Sequence, residues 1–386
     1  MTALAFAAAL FLAAPQSDAP PAPAPAEPPA TPPPGEASAA ARRPGPQLAP
    51  VDAEKLLALL QDVPAGSAER VAKLVDLMKS AGGDAAEVEV VPLGDSLAAR
   101  APRLAEELRD RLVKCGASPA EINAALVAQK RRLEAADGNV VAKLPGRKKR
   151  VIVVAAHLDA SPGSAGIVDD WAGCALLADL LGASRAASLR HSLWFVAFAK
   201  QEEGCLGSAA FADALTKEQC DAIDACITID CAGVSTPHVW WTGSERGTVE
   251  FAAEAARSSG VELRVVDFPG GKSDGRRLKG KNLPVLTLLG VEPGRFRMLH
   301  GPEDRVEAVA RDHLVEMRQL VAGLIEACDA TARPLRWEFV SEKLGIGDVP
   351  GMRKALLPEK VDPAAAAAPA SAPAVPSPPR DGSHRP

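Results

Sequence analysis

The chain has 386 residues, 47% of them hydrophobic, with a formal net charge of −5. This is enough apolar material for one large α/β domain or two small ones. The charge gives no basic surface for a nucleic acid or an anionic membrane, and most of the prolines crowd the two ends of the chain.

Met1–Ala14 reads MTALAFAAALFLAA. The run is shorter than the ~20 residues that span a bilayer and has the length of a signal-peptide core. Residues 1–17 are therefore expected to form a signal peptide. The mature chain would then be periplasmic or extracellular, with no membrane span. Residues 18–50 are mostly Ala and Pro, and a second such stretch starts at Pro363. Neither holds enough large side chains to offset ordering entropy, so we expect a disordered linker over 18–50 and an extension with a disordered tail over 331–386. The folded part is expected within 51–330, a plausible size for one domain.

Apolar residues recur at helical spacing over 51–60 and 68–80, and Val88–Pro92 reads as a short strand. Two amphipathic helices are predicted over 97–112 and 119–133, the second capped by Ser118 with Pro119 in its first turn. They form a helical insertion at about 97–135. Asn139–Leu144 and Arg150–Ala156 are β-like and flank Pro145–Gly146, which predicts a hairpin with Arg147–Lys148–Lys149–Arg150 at its solvated tip. Further strands are predicted over 193–198, 225–231, 239–242, 263–266 and 284–289. Helices over 172–181, 208–215, 249–259 and 312–328 separate several of them. Near-continuous apolar strands alternating with helices predict an α/β fold with a central mixed, mainly parallel sheet covered on both faces. Ligands in such sheets gather beyond the carboxyl ends of the strands.

That rule selects residues. The strand over 150–156 runs into His157–Leu158–Asp159. A lone histidine there is more often structural, but a nearby carboxylate can fix the tautomer that a metal needs. Asp169–Asp170 precede a helix, where acids are ordinary capping residues. Glu202–Glu203 follow the strand over 193–198 and lead into Gly204, a turn able to aim one carboxylate at a metal and leave its neighbour free to move protons. Asp230 ends the strand over 225–231 and must be paired, protonated or metal-bound. His300 stands in a loop before the last long helix. Together His157, Asp169, Glu203, Asp230 and His300 form an imidazole and carboxylate set that suits zinc. Five ligands fit two ions sharing a bridging carboxylate. The seven cysteines contain no CxxC pair, and Cys220 and Cys226 are spaced to pair in an exported protein.

Five separated blocks stand in order: His-x-Asp, Asp-Asp-x-x-Gly, Glu-Glu-Gly-x-x-Gly-Ser, Ile-Asp-x-x-Gly and His-x-x-x-Asp. In this the chain resembles the co-catalytic zinc aminopeptidase family, which includes secreted bacterial leucyl aminopeptidases and aminopeptidase Y. The resemblance implies a three-layer α/β/α zinc-exopeptidase fold and two zinc ions. Asp169 would bridge them, His157 and Asp230 would complete one site, and Glu203 and His300 the other. Asp159 would orient His157, and Glu202 would be the general base. The substrate would be a peptide with a free N-terminus, losing its first residue. The chain departs from the family at Ser273–Asp274–Gly275, where a Ser-Asp-His is common, and at Trp171, a large residue expected to narrow or cover the pocket. A glutaminyl cyclase-like acyltransferase with one zinc, and a non-catalytic metal-binding relative, are the alternatives.

Overall fold

The computed structural model describes residues 47–135, 137–267, 271–331 and 359–360. The expected signal peptide, nearly all of the Pro/Ala linker and the C-terminal Pro/Ala tail lie outside the described residues.

Among the described residues the sheet has nine strands: β1 (Glu87–Pro92), β2 (Gly138–Leu144), β3 (Val151–His157), β4 (Ser192–Phe198), β5 (Ile223–Asp230), β6 (His238–Trp240), β7 (Arg264–Asp267), β8 (Val285–Leu289) and β9 (Glu359–Lys360). Their spatial order is β1-β2-β4-β3-β5-β8-β6-β7-β9. The central pairs β4–β3, β3–β5 and β5–β8 are parallel, whereas β1–β2, β2–β4 and β6–β8 are antiparallel. The expected mixed, mainly parallel sheet is therefore present. Every residue of β3 is buried, as a strand covered on both faces requires.

The alternation of side chains sorts the strands into two cores. Ile152, Val154 and Ala156 pack with α1 (Ala53–Ala58), α2 (Ser67–Gly82), α5 (Ala172–Ser184), α8 (Arg246–Ser259) and α10 (Arg311–Ala330). Val151, Val153 and Ala155 face the other way, toward α6 (Leu206–Ala214), α7 (Lys217–Ala222) and α9 (Asp274–Lys279). The helices predicted as an insertion are α3 (Gly94–Lys114) and α4 (Pro119–Leu133). Ser118 and Glu121 close a reciprocal cap at the start of α4. Helix α3 packs on α6.

Three expectations change. The hairpin between β2 and β3 does not form, because β4 lies between these strands and pairs with both. Arg147 and Lys148 instead donate their N–H groups to Leu189 and Arg190, just ahead of β4. The folded part also begins before residue 51: Leu48 is buried and its N–H donates to Glu326. Cys220 and Cys226 are free thiols, as are the other five cysteines.

Candidate metal centre

The carboxyl ends of the parallel strands bring the selected residues together. His157 closes β3 and Asp230 closes β5. Asp169 lies in the segment that leads into α5, Glu202 in the turn after β4, and His300 in the loop after β8. Two trios of ligand atoms result, His157–Asp169–Asp230 and Asp169–Glu202–His300, each with its atoms within 4.8 Å of one another. Asp169 belongs to both. Its Oδ1 is 2.9 Å from His157 Nε2 and its Oδ2 is 3.1 Å from His300 Nε2, the arrangement expected of a carboxylate shared between two ions.

Glu203, expected as a ligand, is not part of either trio. Its carboxylate is turned to Arg132 at the end of α4, and the two form an ion pair. Glu202, expected as the general base, stands in its place, with Oε1 3.3 Å from His300 Nε2. Neighbouring acids in a tight turn face different ways, and sequence spacing does not say which one turns inward. Arg132 decides it by occupying Glu203.

The surrounding residues hold the trios in position. Asp159 Oδ1 lies 3.5 Å from His157 Nδ1. The same carboxylate accepts the N–H groups of Gln201 and Glu202 at 2.9 and 3.0 Å, so one side chain ties the β3 and β4 loops together. Asp170, fully buried, accepts the N–H groups of His157 and Gly173. There is no space for a side chain at residue 173, since a Cβ there would meet Asp170 Oδ1 at 2.4 Å. Asp304 accepts the Val168 N–H and the Ser164 hydroxyl, which braces the Asp169 segment from the far side.

Two more residues do this work in ways that the sequence does not signal. Arg70 of α2 is buried and donates to the carbonyls of Pro64, Leu158, Ala165 and Gly166, spanning both the His157 and the Asp169 loops. Trp171, expected to narrow or cover the pocket, is instead fully buried. Its Nε1 donates to the Leu59 carbonyl and its ring lies under Arg70 and Lys73. It fastens the N-terminal helices to the metal loop. At Gly275, where the family commonly has histidine, a Cβ would meet Thr287 Oγ1 at 2.2 Å, so α9 sits too close to β8 to admit that side chain.

The electrostatics fit a cation site. Burial alone would lower His157, but its bonds to Asp159 and Asp169 outweigh this and raise it well above the usual imidazole value. His300 is likewise raised to about 11 against the effect of burial, by Asp169 and Glu202. Burial pushes Asp230 up to about 6 and raises Glu202. Asp169 is held far below the carboxylate range, because the two histidines overcome its burial. Glu202 Oε1 and His157 Nδ1 are both buried without an aligned hydrogen bond. Two imidazoles and three carboxylates suit zinc, and the unsatisfied Glu202 Oε1 has a natural partner in an ion.

Fold and site together place a candidate metal centre at the carboxyl rim of an α/β/α sheet. Residues 139–325, just under half of the chain, match the model of Peptidase family M28. Aminopeptidase YwaD of Bacillus subtilis (strain 168) is 23% identical over 197 residues, which cover 48% of this chain and 42% of YwaD. The chain thus spans less than half the length of that curated relative. Among solved structures, an aminopeptidase from Aneurinibacillus sp. strain AM-1 aligns with TM-score 0.54 and 18% identity, covering 71% of this chain and 93% of that one. A glutaminyl cyclase from Fimbriiglobus ruber aligns with TM-score 0.53 and 14% identity, covering 73% and 98%. Both likenesses are of fold.

Proposed function

We propose that this domain is a zinc-dependent exopeptidase that removes the N-terminal residue of peptides, with two zinc ions per chain. The observation that carries it is Asp169, whose two carboxylate oxygens each approach a different histidine, His157 and His300. His157, Asp169 and Asp230 would hold one ion, and Asp169, Glu202 and His300 the other. When bound, the ion pair lowers the pKa of a water and offsets charge on the peptide carbonyl oxygen. Asp159 keeps the His157 ring in register, with Nε2 directed to the ion side and Nδ1 toward its own carboxylate. Met1–Ala14 supports export of the chain to the periplasm or beyond.

The test is metal analysis of the purified chain alongside a panel of aminoacyl chromogenic substrates, with and without a chelator. Two zinc equivalents and chelator-sensitive release of free amino acid are expected. One equivalent, with cyclisation of N-terminal glutamine in place of hydrolysis, would replace this reading with the acyltransferase one.

A further inference from the structure

A water attacking a peptide carbonyl must lose a proton, and the leaving amine must gain one. A relay between them needs an uncommitted base within hydrogen-bond reach. Among the described residues, the acids around the centre are committed. Asp169, Asp230 and Glu202 face the two trios. Asp159 carries two backbone N–H groups and leans on His157. Asp170 holds His157 N and Gly173 N, and Asp304 holds Val168 N and the Ser164 hydroxyl. The buried Asp274 takes the Ser208 hydroxyl. Glu203 is paired with Arg132.

The loop shows where a base would have to stand. Gln201 and Glu202 donate their N–H groups to the two oxygens of Asp159. This peptide therefore runs alongside the His157–Asp159 loop, while Glu203 departs from it toward α4. Residue 201 adjoins the inward-facing Glu202, is anchored to the same carboxylate and remains half-buried. It is a glutamine, a neutral amide that does not accept a proton at neutral pH.

We propose that this centre lacks a carboxylate proton relay, because the position that would supply it is Gln201. The proposal rests on the exopeptidase reading. In the reaction the water oxygen bonds to the carbonyl carbon and the C–N bond breaks. The proton shed by the water passes to bulk solvent, and the amine recovers one from there. Turnover is then slow for want of one group, although metal binding is complete.

The experiment compares zinc-loaded full-length wild type, Gln201→Glu, Glu202→Gln and Glu203→Gln by zinc stoichiometry, thermal unfolding and kcat on aminoacyl substrates. Gln201→Glu is expected to keep both ions and raise kcat about 100-fold, within the usual range for a positioned base. Glu202→Gln should lose about one zinc equivalent. Glu203→Gln should keep both ions and change kcat less than about twofold. Loss of zinc, or a tenfold fall in kcat, in Glu203→Gln would overturn the proposal, since Glu203 would then be ligand or base. So would a Gln201→Glu variant that folds, holds both ions and is no faster than an active wild type. If neither protein hydrolyses any substrate while both hold two zinc ions, the exopeptidase reading fails as well, and the two failures are thus told apart. If Gln201→Glu does not fold, the two glutamate variants alone decide.

Discussion

At opposite ends of the same sheet, two buried histidines each stand between carboxylates, yet only one of these settings is unfinished. At the amino-terminal rim His191 has Nε2 2.9 Å from Asp224 and Nδ1 3.0 Å from Asp329. Arg150 grips Asp224 with two nitrogens, and Asp329 also accepts the N–H groups of Arg190 and His191. One arginine and one histidine there face two acids, and only Asp329 Oδ2 is left over. At the carboxyl rim Asp159, Asp169, Asp170, Asp230 and Glu202 crowd around His157 and His300. The first cluster is closed by the protein's own hydrogen-bonding partners. The second has an excess of acid that a bound cation would balance. Charge balance, rather than burial of a histidine, separates a structural site from a metal site.

The widest way to break this comparison is to remove each histidine in turn. His191→Ala would leave Asp224 and Asp329 without their shared partner, a loss of roughly 3–5 kcal/mol for a broken buried pair. The loss should be the same with zinc or with chelator. His157→Ala should cost most in zinc and much less after chelation, because what it removes is mainly ligand-linked stability. Denaturant unfolding of both variants with and without a chelator measures this. A zinc-dependent loss at His191 would contradict the division between the rims.

Much of this is legible in the sequence. Apolar runs gave all the central strands, because a strand buried on both faces leaves no room for polar residues, and strand ends then pointed to His157, Asp169, Asp230 and His300. The false hairpin came from a rule about neighbours in sequence; β4 enters between β2 and β3 from nearly fifty residues away, and nothing local announces it. The exchange of Glu202 and Glu203 has the same origin. Arg132 lies about seventy residues upstream in a helix that looks, by itself, like any amphipathic helix with a basic last turn. Arg70 was equally silent, since its partners are backbone carbonyls, which carry no residue identity.

The carboxyl rim also makes a prediction about protons. His300 is raised to about 11, so in the ion-free protein it is protonated at neutral pH, and His157 is raised in the same direction. Zinc binds neutral imidazole, so a protonated histidine must release its proton, and affinity rises with pH as long as it starts protonated. The expected slope for the ion that His300 holds is up to tenfold per pH unit, between pH 7 and 9 and below the value of about 11 for His300. Calorimetric titration of zinc in buffers of different ionisation enthalpy counts the released protons directly. Release of none would mean that the histidines are neutral before zinc arrives.

The smallest expected effect sharpens the comparison most, because it changes no ligand. Asp159 holds two backbone N–H groups of the β4 turn and stands 3.5 Å from His157 Nδ1. Asp159→Asn keeps one acceptor oxygen and the shape, but loses the charge that favours the Nδ1–H tautomer and the second good acceptor for the turn. Zinc affinity should fall about tenfold, the lower end for an outer-shell partner, with both ions still bound at saturation. Competition with a chromophoric chelator reads the affinity, and stoichiometry at saturation reads the site. A lost ion would make Asp159 a ligand in its own right. Unchanged affinity would mean that the packing around His157, all but sealed from solvent, fixes the ring without Asp159. The carboxyl rim would then owe its order to burial, as the amino rim does, and to its ions only for charge.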